Sequence, residues 1–200
     1  MHYKNERTFT IIKPDGIQRS LIGEVVSRFE RVGLKLIALK MMIPTADMVE
    51  KHYTLDPAWK MNVGEKSIKG FKDKGLVPPT EDPMESAETI LECLREYITS
   101  GPIIAMVWQG AHAVKLVRKL VGGTEPLSSD VGTIRGDYML DSYEMSQGDG
   151  RSIRNLIHAS GSVKEAEDEI AHWFEPSDMF EYSTVQEQIL YSKKLDILGK

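Results

Sequence analysis

The fold turns on the stretch Arg154-Asn155-Leu156-Ile157-His158-Ala159-Ser160-Gly161-Ser162, which predicts a short buried strand followed by the start of a helix. Ser162 and Glu165 have the spacing of a capping box, in which each side chain accepts a free backbone N–H. Apolar residues then recur at helical spacing, at Val163, Ala166, Ile170, Trp173 and Phe174. His158 is therefore predicted to lie just before a helix N-terminus.

The position of His158 has two interpretations. The free N–H groups and the dipole of a helix N-terminus favour an anion and disfavour imidazolium. A neutral imidazole that faces an anion site is able to attack a phosphoryl group. The alternative is a structural histidine whose ring nitrogens are satisfied within the fold, which is common near strand ends. This segment alone leaves both interpretations open.

Composition narrows the class of protein. The chain has 200 residues, of which 41% are hydrophobic and 28% charged, as in an ordinary globular domain. No apolar run is long enough to cross a bilayer, the N-terminus lacks the apolar core of a signal peptide, and the single cysteine, Cys93, excludes an internal disulfide. These features predict a cytoplasmic protein without membrane contacts. The net charge of −5 argues against a general nucleic-acid binder but not against a nucleotide ligand.

The order of predicted elements indicates the fold class. Strands are predicted at 7–13, 34–42, 103–109 and just before His158, and helices at 21–32, 45–53, 84–99, 111–121 and after Ser162. Residues 56–83 predict a long, partly helical excursion, and 124–147 a long loop. The order β-α-β-(α)-β-α-β predicts an α/β (α+β) ferredoxin-like sandwich, with a four-stranded antiparallel sheet and helices on one face.

Common catalytic motifs are absent from the sequence. It contains neither a mononucleotide-binding glycine loop nor a dinucleotide fingerprint, zinc-ligand spacing or a nucleophile elbow. Three separate cations are left as candidates for binding phosphate: Lys13, Arg118 and Arg135. An arginine fork suits phosphate because it bonds two oxygens at once. The alternatives are a solvated surface residue for Arg118, and for Arg135 a loop residue paired with Asp137.

Four sequence blocks occur in the order found in one enzyme family. They are Thr8-Phe9-Thr10-Ile11-Ile12-Lys13-Pro14-Asp15-Gly16, Ser100-Gly101-Pro102-Ile103-Ile104-Ala105-Met106-Val107-Trp108, Gly132-Thr133-Ile134-Arg135-Gly136-Asp137 and Asn155-Leu156-Ile157-His158. In these blocks the chain resembles the nucleoside diphosphate kinases. The resemblance implies transfer of the terminal phosphate of a nucleoside triphosphate, typically ATP, to a nucleoside diphosphate by a ping-pong route through a phosphohistidine.

The resemblance also assigns roles around the histidine. It implies that His158 is phosphorylated, that Tyr53 lies beside it and that Glu169 orients the imidazole. Ser160 is expected to hydrogen-bond either the phosphate or Glu169. A histidine nucleophile suits this exchange because the two half-reactions are similar.

A second group of roles concerns the nucleotide. The resemblance implies that Arg118, Thr124 and Arg135 hold the phosphates. It implies that Lys13 and Asn155 contact the sugar hydroxyls, with Lys13 also near the transferred group. Mg²⁺ is expected as cofactor, bound mainly through the nucleotide phosphates, with no direct protein ligand assigned.

The chain departs from the family pattern in three places. Gly161 stands where the family usually has an acid, which puts an outer metal role of that position in doubt. Extra length is expected around 59–97 and 141–150, within a single domain spanning 1–200. The first of these insertions adjoins the place where the family stacks the base on an aromatic ring, for which Trp59 is the candidate and Phe71 the alternative.

The resemblance also bears on assembly and on the ligands of the protein. The resemblance implies a homo-oligomer, either a hexamer or a tetramer, that binds nucleoside di- and triphosphates. Specific nucleic-acid binding is not expected. A catalytically weak nucleotide-binding regulator on the same fold is the main competing hypothesis, and a general nucleic-acid binder is the third.

Overall fold

A four-stranded antiparallel sheet forms the centre of the computed structural model, which describes residues 3–73 and 75–193. Its strands are β1 (Glu6–Ile12), β2 (Lys35–Met42), β3 (Ile103–Gly110) and β4 (Ile157–Ala159), in the spatial order β2-β3-β1-β4. Every neighbouring pair is antiparallel. The predicted four-stranded antiparallel sheet is therefore confirmed.

Ten α-helices surround the sheet in the described part of the chain. They are α1 (Pro14–Gln18), α2 (Ile22–Arg31), α3 (Ala46–Tyr53), α4 (Trp59–Asp73), α5 (Pro83–Thr99), α6 (Ala113–Val121), α7 (Ile134–Tyr138), α8 (Tyr143–Gly148), α9 (Val163–Trp173) and α10 (Val185–Leu190). The prediction of a loop over 124–147 was wrong, because it contains α7 and α8. Helices of five or six residues are too short to show a period, and their signal lies in the capping residues Thr133 and Ser142.

Helices cover both faces of the sheet, so the prediction of one covered face was wrong. On one face Val25 and Phe29 of α2 pack with Val117 of α6. On the other, Val49 of α3 and Ile170 of α9 lie in a second apolar cluster. The central strand β3 is apolar in both phases of the pleat as far as Trp108, which is typical of a strand buried on two sides. Helices on both faces of the sheet bury these apolar side chains.

Strand β4 sets the direction in which His158 points. His158 pairs with Ile11 of β1, while its neighbours Ile157 and Ala159 are buried on the α2–α6 face. Because successive side chains alternate across a strand, the imidazole faces α3 and α9. The residue before the strand, Leu156, has a φ of +66°, and its carbonyl accepts the N–H of Lys13 at 2.8 Å.

The start of α9 matches the predicted capping box only in part. The Ser162 side chain accepts the N–H of Glu165 at 3.1 Å, as predicted. The Glu165 carboxylate, however, accepts the N–H of Gly161 at 2.8 Å and not that of Ser162. A local carboxylate therefore already occupies this helix N-terminus, which is not an open anion site.

The C-terminal tail packs on its own subunit as far as residue 193. The N–H of Phe180 donates to the carbonyl of Ile37 at 2.9 Å, and Tyr182 donates its hydroxyl to Leu36. Lys35 of β2 pairs with Glu187 of α10 at 2.9 Å. Residues 194–200 lie outside the described residues. None of the described helices is long and apolar enough to cross a membrane.

Two glycines of α4 provide a matched test of how this helix is seated. A Cβ added at Gly64 would lie 1.9 Å from the carbonyl oxygen of Pro83, whereas one added at Gly70 would meet nothing within 4 Å. We expect Gly64→Ala to lower the free energy of unfolding by about 1–3 kcal/mol through overpacking. Gly70→Ala should raise it by up to about 1 kcal/mol through helix propensity. Urea denaturation measures both, and shifts of the same sign would contradict the packing.

Candidate active site

His158 and Glu169 form the centre of the site. Nε2 of His158 lies 2.7 Å from Oε1 of Glu169, while the His158 side chain keeps 17% of its surface exposed. Among the described residues no hydrogen-bond partner is found for Nδ1 of His158. With Nε2–H donating to the carboxylate, Nδ1 keeps its lone pair and is the nitrogen free to react. The histidine is thus neither sealed in the core nor satisfied at both nitrogens.

The carboxylate that orients His158 is itself held from the sheet. Ser160 donates its hydroxyl to Oε2 of Glu169 and is fully buried. The N–H of Phe9 in β1 donates to the same Ser160 oxygen at 3.3 Å. Of the two partners expected for Ser160, the structure therefore places it on Glu169. Burial raises the pKa of Glu169, and its hydrogen bond from Ser160 opposes that shift.

Sequence reasoning missed His52, the residue before Tyr53. Its ring lies 4.6 Å from that of His158 at 84°, and its Nδ1 lies 3.7 Å from Oε1 of Glu169. Nε1–H of Trp173 donates to this Nδ1 at 3.2 Å. Burial, followed by the charge of His158, lowers the pKa of His52 to about 3, so the ring is neutral. Its place in the sequence, beside the candidate tyrosine, was the available signal.

Lys13 and Asn155 bond each other beneath the cleft. Nζ of Lys13 donates to Oδ1 of Asn155 at 2.7 Å and lies 4.9 Å from the ring centre of Tyr97. Nδ2 of Asn155 donates to the carbonyl of Thr124 at 2.9 Å. The structure thus brings Lys13, Asn155 and Thr124 together as one network. Burial, and next the charge of Arg135, lower the pKa of Lys13 to about 7.

Arg135 is committed mainly to the backbone. Its guanidinium donates to four carbonyls, those of Gly122, Gly123, Asn155 and Ile157, at 2.6–3.2 Å. The alternative of a pair with Asp137 was wrong, because Asp137 pairs with Arg28. A guanidinium has five N–H groups, so one is left for a ligand. Burial, and next the charge of Arg118, lower the pKa of Arg135 to about 10.

Arg118 differs from Arg135 in its exposure. It is an exposed residue near the end of α6 that lines the cleft, and its Nη1 donates to the carbonyl of Ala159 at 3.4 Å. Arg118 is thus a surface arginine, as one interpretation predicted, and it also lies beside β4 at the cleft. Burial of the His158 ring, followed by the charge of Lys13, holds the pKa of His158 well below its usual range. The histidine is therefore neutral near pH 7.

A single cleft joins these groups to the aromatic candidates. It has a volume of about 1160 Å³ and is lined by His158, Lys13 and Arg118 among others. Tyr53, at the end of α3, and Trp59, at the start of α4, both line it, with ring centres 5.4 Å apart. Phe71 and Thr124 also line the cleft. Every residue expected at the site except the fully buried Ser160 contributes to its lining.

Comparison with known proteins identifies the family. A family model described as nucleoside diphosphate kinase matches residues 6–60 and 84–179. A nucleoside diphosphate kinase of Pyrobaculum aerophilum is 44% identical over 180 residues, covering 88% of this chain and 98% of the relative. Nucleoside diphosphate kinase A of Mus musculus is 37% identical, covering 94% and 97%. The chain belongs to the nucleoside diphosphate kinase family.

Solved structures of nucleoside diphosphate kinases agree with the fold. The crystal structure of the NDP kinase from Pyrobaculum aerophilum superposes with a TM-score of 0.85 at 42% identity, covering 88% of this chain and all of the other. The nucleoside diphosphate kinase of Borrelia burgdorferi, a transition-state mimic with bound vanadate and ADP, gives a TM-score of 0.74 at 36% identity, covering 90% and 94%. The chain is a phosphotransferase of this family.

The two arginines should respond differently to truncation in this nucleoside diphosphate kinase. Arg118→Ala should weaken nucleotide binding by about 1–3 kcal/mol, the cost of a charged hydrogen bond, and leave stability unchanged. Arg135→Ala leaves four backbone carbonyls without their donor, two of them in buried bonds, and should also lower the free energy of unfolding by at least ~2 kcal/mol. Calorimetric titration with ADP and urea denaturation check the two effects. Equal stability of both variants would contradict the backbone role of Arg135.

The lowered pKa of Lys13 predicts a pH dependence of stability. Between about pH 7 in the folded state and 10.5 in the unfolded state, the unfolded chain binds more protons. The contribution of Lys13 to stability therefore rises with pH across that window, by up to about 1.4 kcal/mol per pH unit. Urea denaturation from pH 7 to 9.5 should show this rise as a difference between the wild type and Lys13→Met. A constant difference would mean that the Lys13 pKa is not lowered.

Proposed function

We propose that this chain transfers the terminal phosphate of a nucleoside triphosphate, typically ATP, to a nucleoside diphosphate through a phosphohistidine at His158. The observation that carries the proposal is the imidazole fixed at Nε2 by Glu169, in a residue that lines the same cleft as Lys13, Arg118 and Arg135. Neutrality of the ring supports it, since only an unprotonated nitrogen is a nucleophile.

The proposed first half-reaction forms one bond and breaks one. Nδ1 of His158 attacks the γ-phosphorus, and the bond from that phosphorus to the bridging oxygen breaks, leaving a nucleoside diphosphate with the electron pair. The imidazole gains positive charge as the new bond forms, and the Glu169 carboxylate on Nε2 stabilises it. The second half-reaction is the reverse, with another nucleoside diphosphate as acceptor.

The cations are proposed to hold the phosphates in line with Nδ1. Phosphoryl transfer passes through a loose transition state, so positioning and charge neutralisation supply most of the catalysis. Arg118 is proposed as the more adaptable contact, because within the described residues its one hydrogen bond is the long one to Ala159. Arg135 contributes its charge and one remaining N–H, and Thr124 lies at the same end of the cleft. Tyr53 is proposed to pack beside His158.

The nucleoside is proposed to bind through Lys13, Asn155 and an aromatic ring. The Lys13 ammonium has three donors, of which Asn155 uses one, so others are left for a sugar hydroxyl or the transferred phosphoryl group. The amide of Asn155 likewise keeps one N–H beyond its bond to Thr124. Trp59 is the proposed stacking partner of the base, and Phe71 the alternative.

Magnesium is proposed to enter with the nucleotide as part of the substrate. Within the described residues, one group of side chains, His52, His158 and Glu169, has the spacing of metal ligands. It offers two imidazoles, one already bonded to the carboxylate, whereas Mg²⁺ prefers oxygen. These residues do not suit Mg²⁺, which agrees with binding through the phosphates and with Gly161 at the usual acidic position.

Wider properties stay predictions that rest on sequence and family. We propose a homo-oligomer, either hexamer or tetramer, a single domain with insertions, and a cytoplasmic location without specific nucleic-acid binding. Size-exclusion chromatography with light scattering distinguishes the assemblies.

We expect His158→Ala to abolish phosphoryl transfer while nucleotide affinity changes little, because the ring contributes the attacking atom and not the phosphate-binding charges. Incubation with ATP radiolabelled at the γ-phosphate should give acid-labile label on wild type and none on the variant. His112→Asn, at an exposed position outside the cleft, is the control and should keep its label. Nucleotide binding by wild type without any label would favour the regulator.

A further inference from the structure

Residues 61–83 separate the two parts of the chain that match the family model. They comprise all but the first two residues of α4 and the connection to α5. These residues therefore lie outside the part of the chain that matches the family model. The question is whether they are a remote surface addition or part of the site.

One side of α4 is seated on α5. Gly64 and Ile68 are its buried residues, and Gly64 lies against the carbonyl of Pro83 at the start of α5. The rest of the helix is exposed or half-buried. This contact turns a different side of α4 toward the cleft that holds His158. The residues of 61–83 that line the cleft include Val63, Lys66, Ser67, Lys69, Gly70 and Phe71.

The cleft is large for a mononucleotide site. Its volume of about 1160 Å³ lies above the range of roughly 300–1000 Å³ found for small-molecule sites. Family-matched residues such as His158 and Arg118 line one part, and α4 lines another. The insertion therefore extends the nucleotide cleft and does not stand apart from it.

Two lysines of α4 carry charge into this cleft without a paired acid. Lys66 and Lys69 are exposed and line it, and within the described residues no ion pair involves either of them. Their neighbours on the same helix differ, since Lys60 pairs with Glu88 and Lys72 with Glu81. Uncommitted cations at the mouth of a cleft raise the local concentration of anionic substrates.

We propose that α4 is a substrate-contacting wall of the cleft, and that Lys66 and Lys69 attract the polyphosphate of nucleoside di- and triphosphates. The inference rests on the proposed function, because it places the nucleotide in the cleft of His158. It adds to that function a specific element, outside the matched family core, that sets nucleotide affinity.

Hydrogen exchange with and without saturating ADP tests the contact. Binding should slow exchange of backbone amides at 155–162, next to His158, and also at 62–73 of α4. Protection at 155–162 with unchanged exchange at 62–73 would overturn the wall and leave the proposed function intact. Unchanged exchange at both segments would overturn both.

A charge-matched pair of variants tests the lysines. Lys66→Gln with Lys69→Gln should raise the KM for ADP by about three- to tenfold, as expected for two exposed charges, and leave kcat and His158 phosphorylation unchanged. Arg31→Gln with Lys115→Gln removes the same charge from exposed positions outside the cleft and should leave KM unchanged.

Added salt provides a second readout on the same variants. Salt screens exposed charges, so it should raise the KM of wild type more steeply than that of the Lys66 and Lys69 double variant. Equal KM values for the two double variants, or equal salt dependence of wild type and the cleft variant, would overturn the role of the lysines.

Discussion

The buried guanidinium of Arg135 holds the site in one piece. It joins the carbonyls of Gly122 and Gly123, just after α6, to those of Asn155 and Ile157, around the start of β4. These two segments are distant in sequence, and no ladder of strand pairing connects them. Thr124 and His158 each lie one residue beyond a segment so bonded. The relative position of Thr124 and His158 therefore depends on these bonds, together with the bond from Asn155 to the carbonyl of Thr124.

The same interactions leave excess positive charge at the bottom of the cleft. Lys13 and Arg135 are almost fully buried, and burial, followed by the mutual repulsion of the two charges, lowers the pKa of Lys13. Within the described residues, neither Lys13 nor Arg135 forms an ion pair with an acidic side chain. An anion that enters the cleft relieves this repulsion. Part of the free energy that was needed to bury the two charges therefore favours binding of the anion. Burial of the His158 ring, followed by the charge of Lys13, likewise lowers the pKa of His158 and keeps the ring neutral.

The sequence predicted the sheet and the place of His158 at a strand end before a helix, because both depend on local pattern. Apolar runs marked β1 and β3, and the strand-to-helix change marked His158. It did not predict that helices cover the second face of the sheet. A strand buried on both sides lacks the alternation of polar and apolar residues that would show which face is exposed. The sequence assigned Arg135 to phosphate or to a pair with Asp137 and missed its four bonds to backbone carbonyls, because these depend on tertiary contacts that residue types do not record. His52 was missed for a similar reason: its place beside Glu169 arises only when α3 packs on α9.

The backbone torsion of Leu156 and the burial of its side chain favour different residues at this position. Its left-handed backbone costs about 1–3 kcal/mol for a residue other than glycine, yet its side chain is fully buried. A Cβ on Gly16 would lie 3.2 Å from Cγ of Leu156, so the leucine fills the space that this glycine leaves in the turn after Lys13. Glycine or asparagine would relax the torsion and empty the space, while isoleucine or valine would fill it and worsen the torsion. A substitution that relaxes the torsion empties the space, and one that fills the space worsens the torsion. Random mutagenesis should therefore find almost no tolerated replacement of Leu156, two residues before His158.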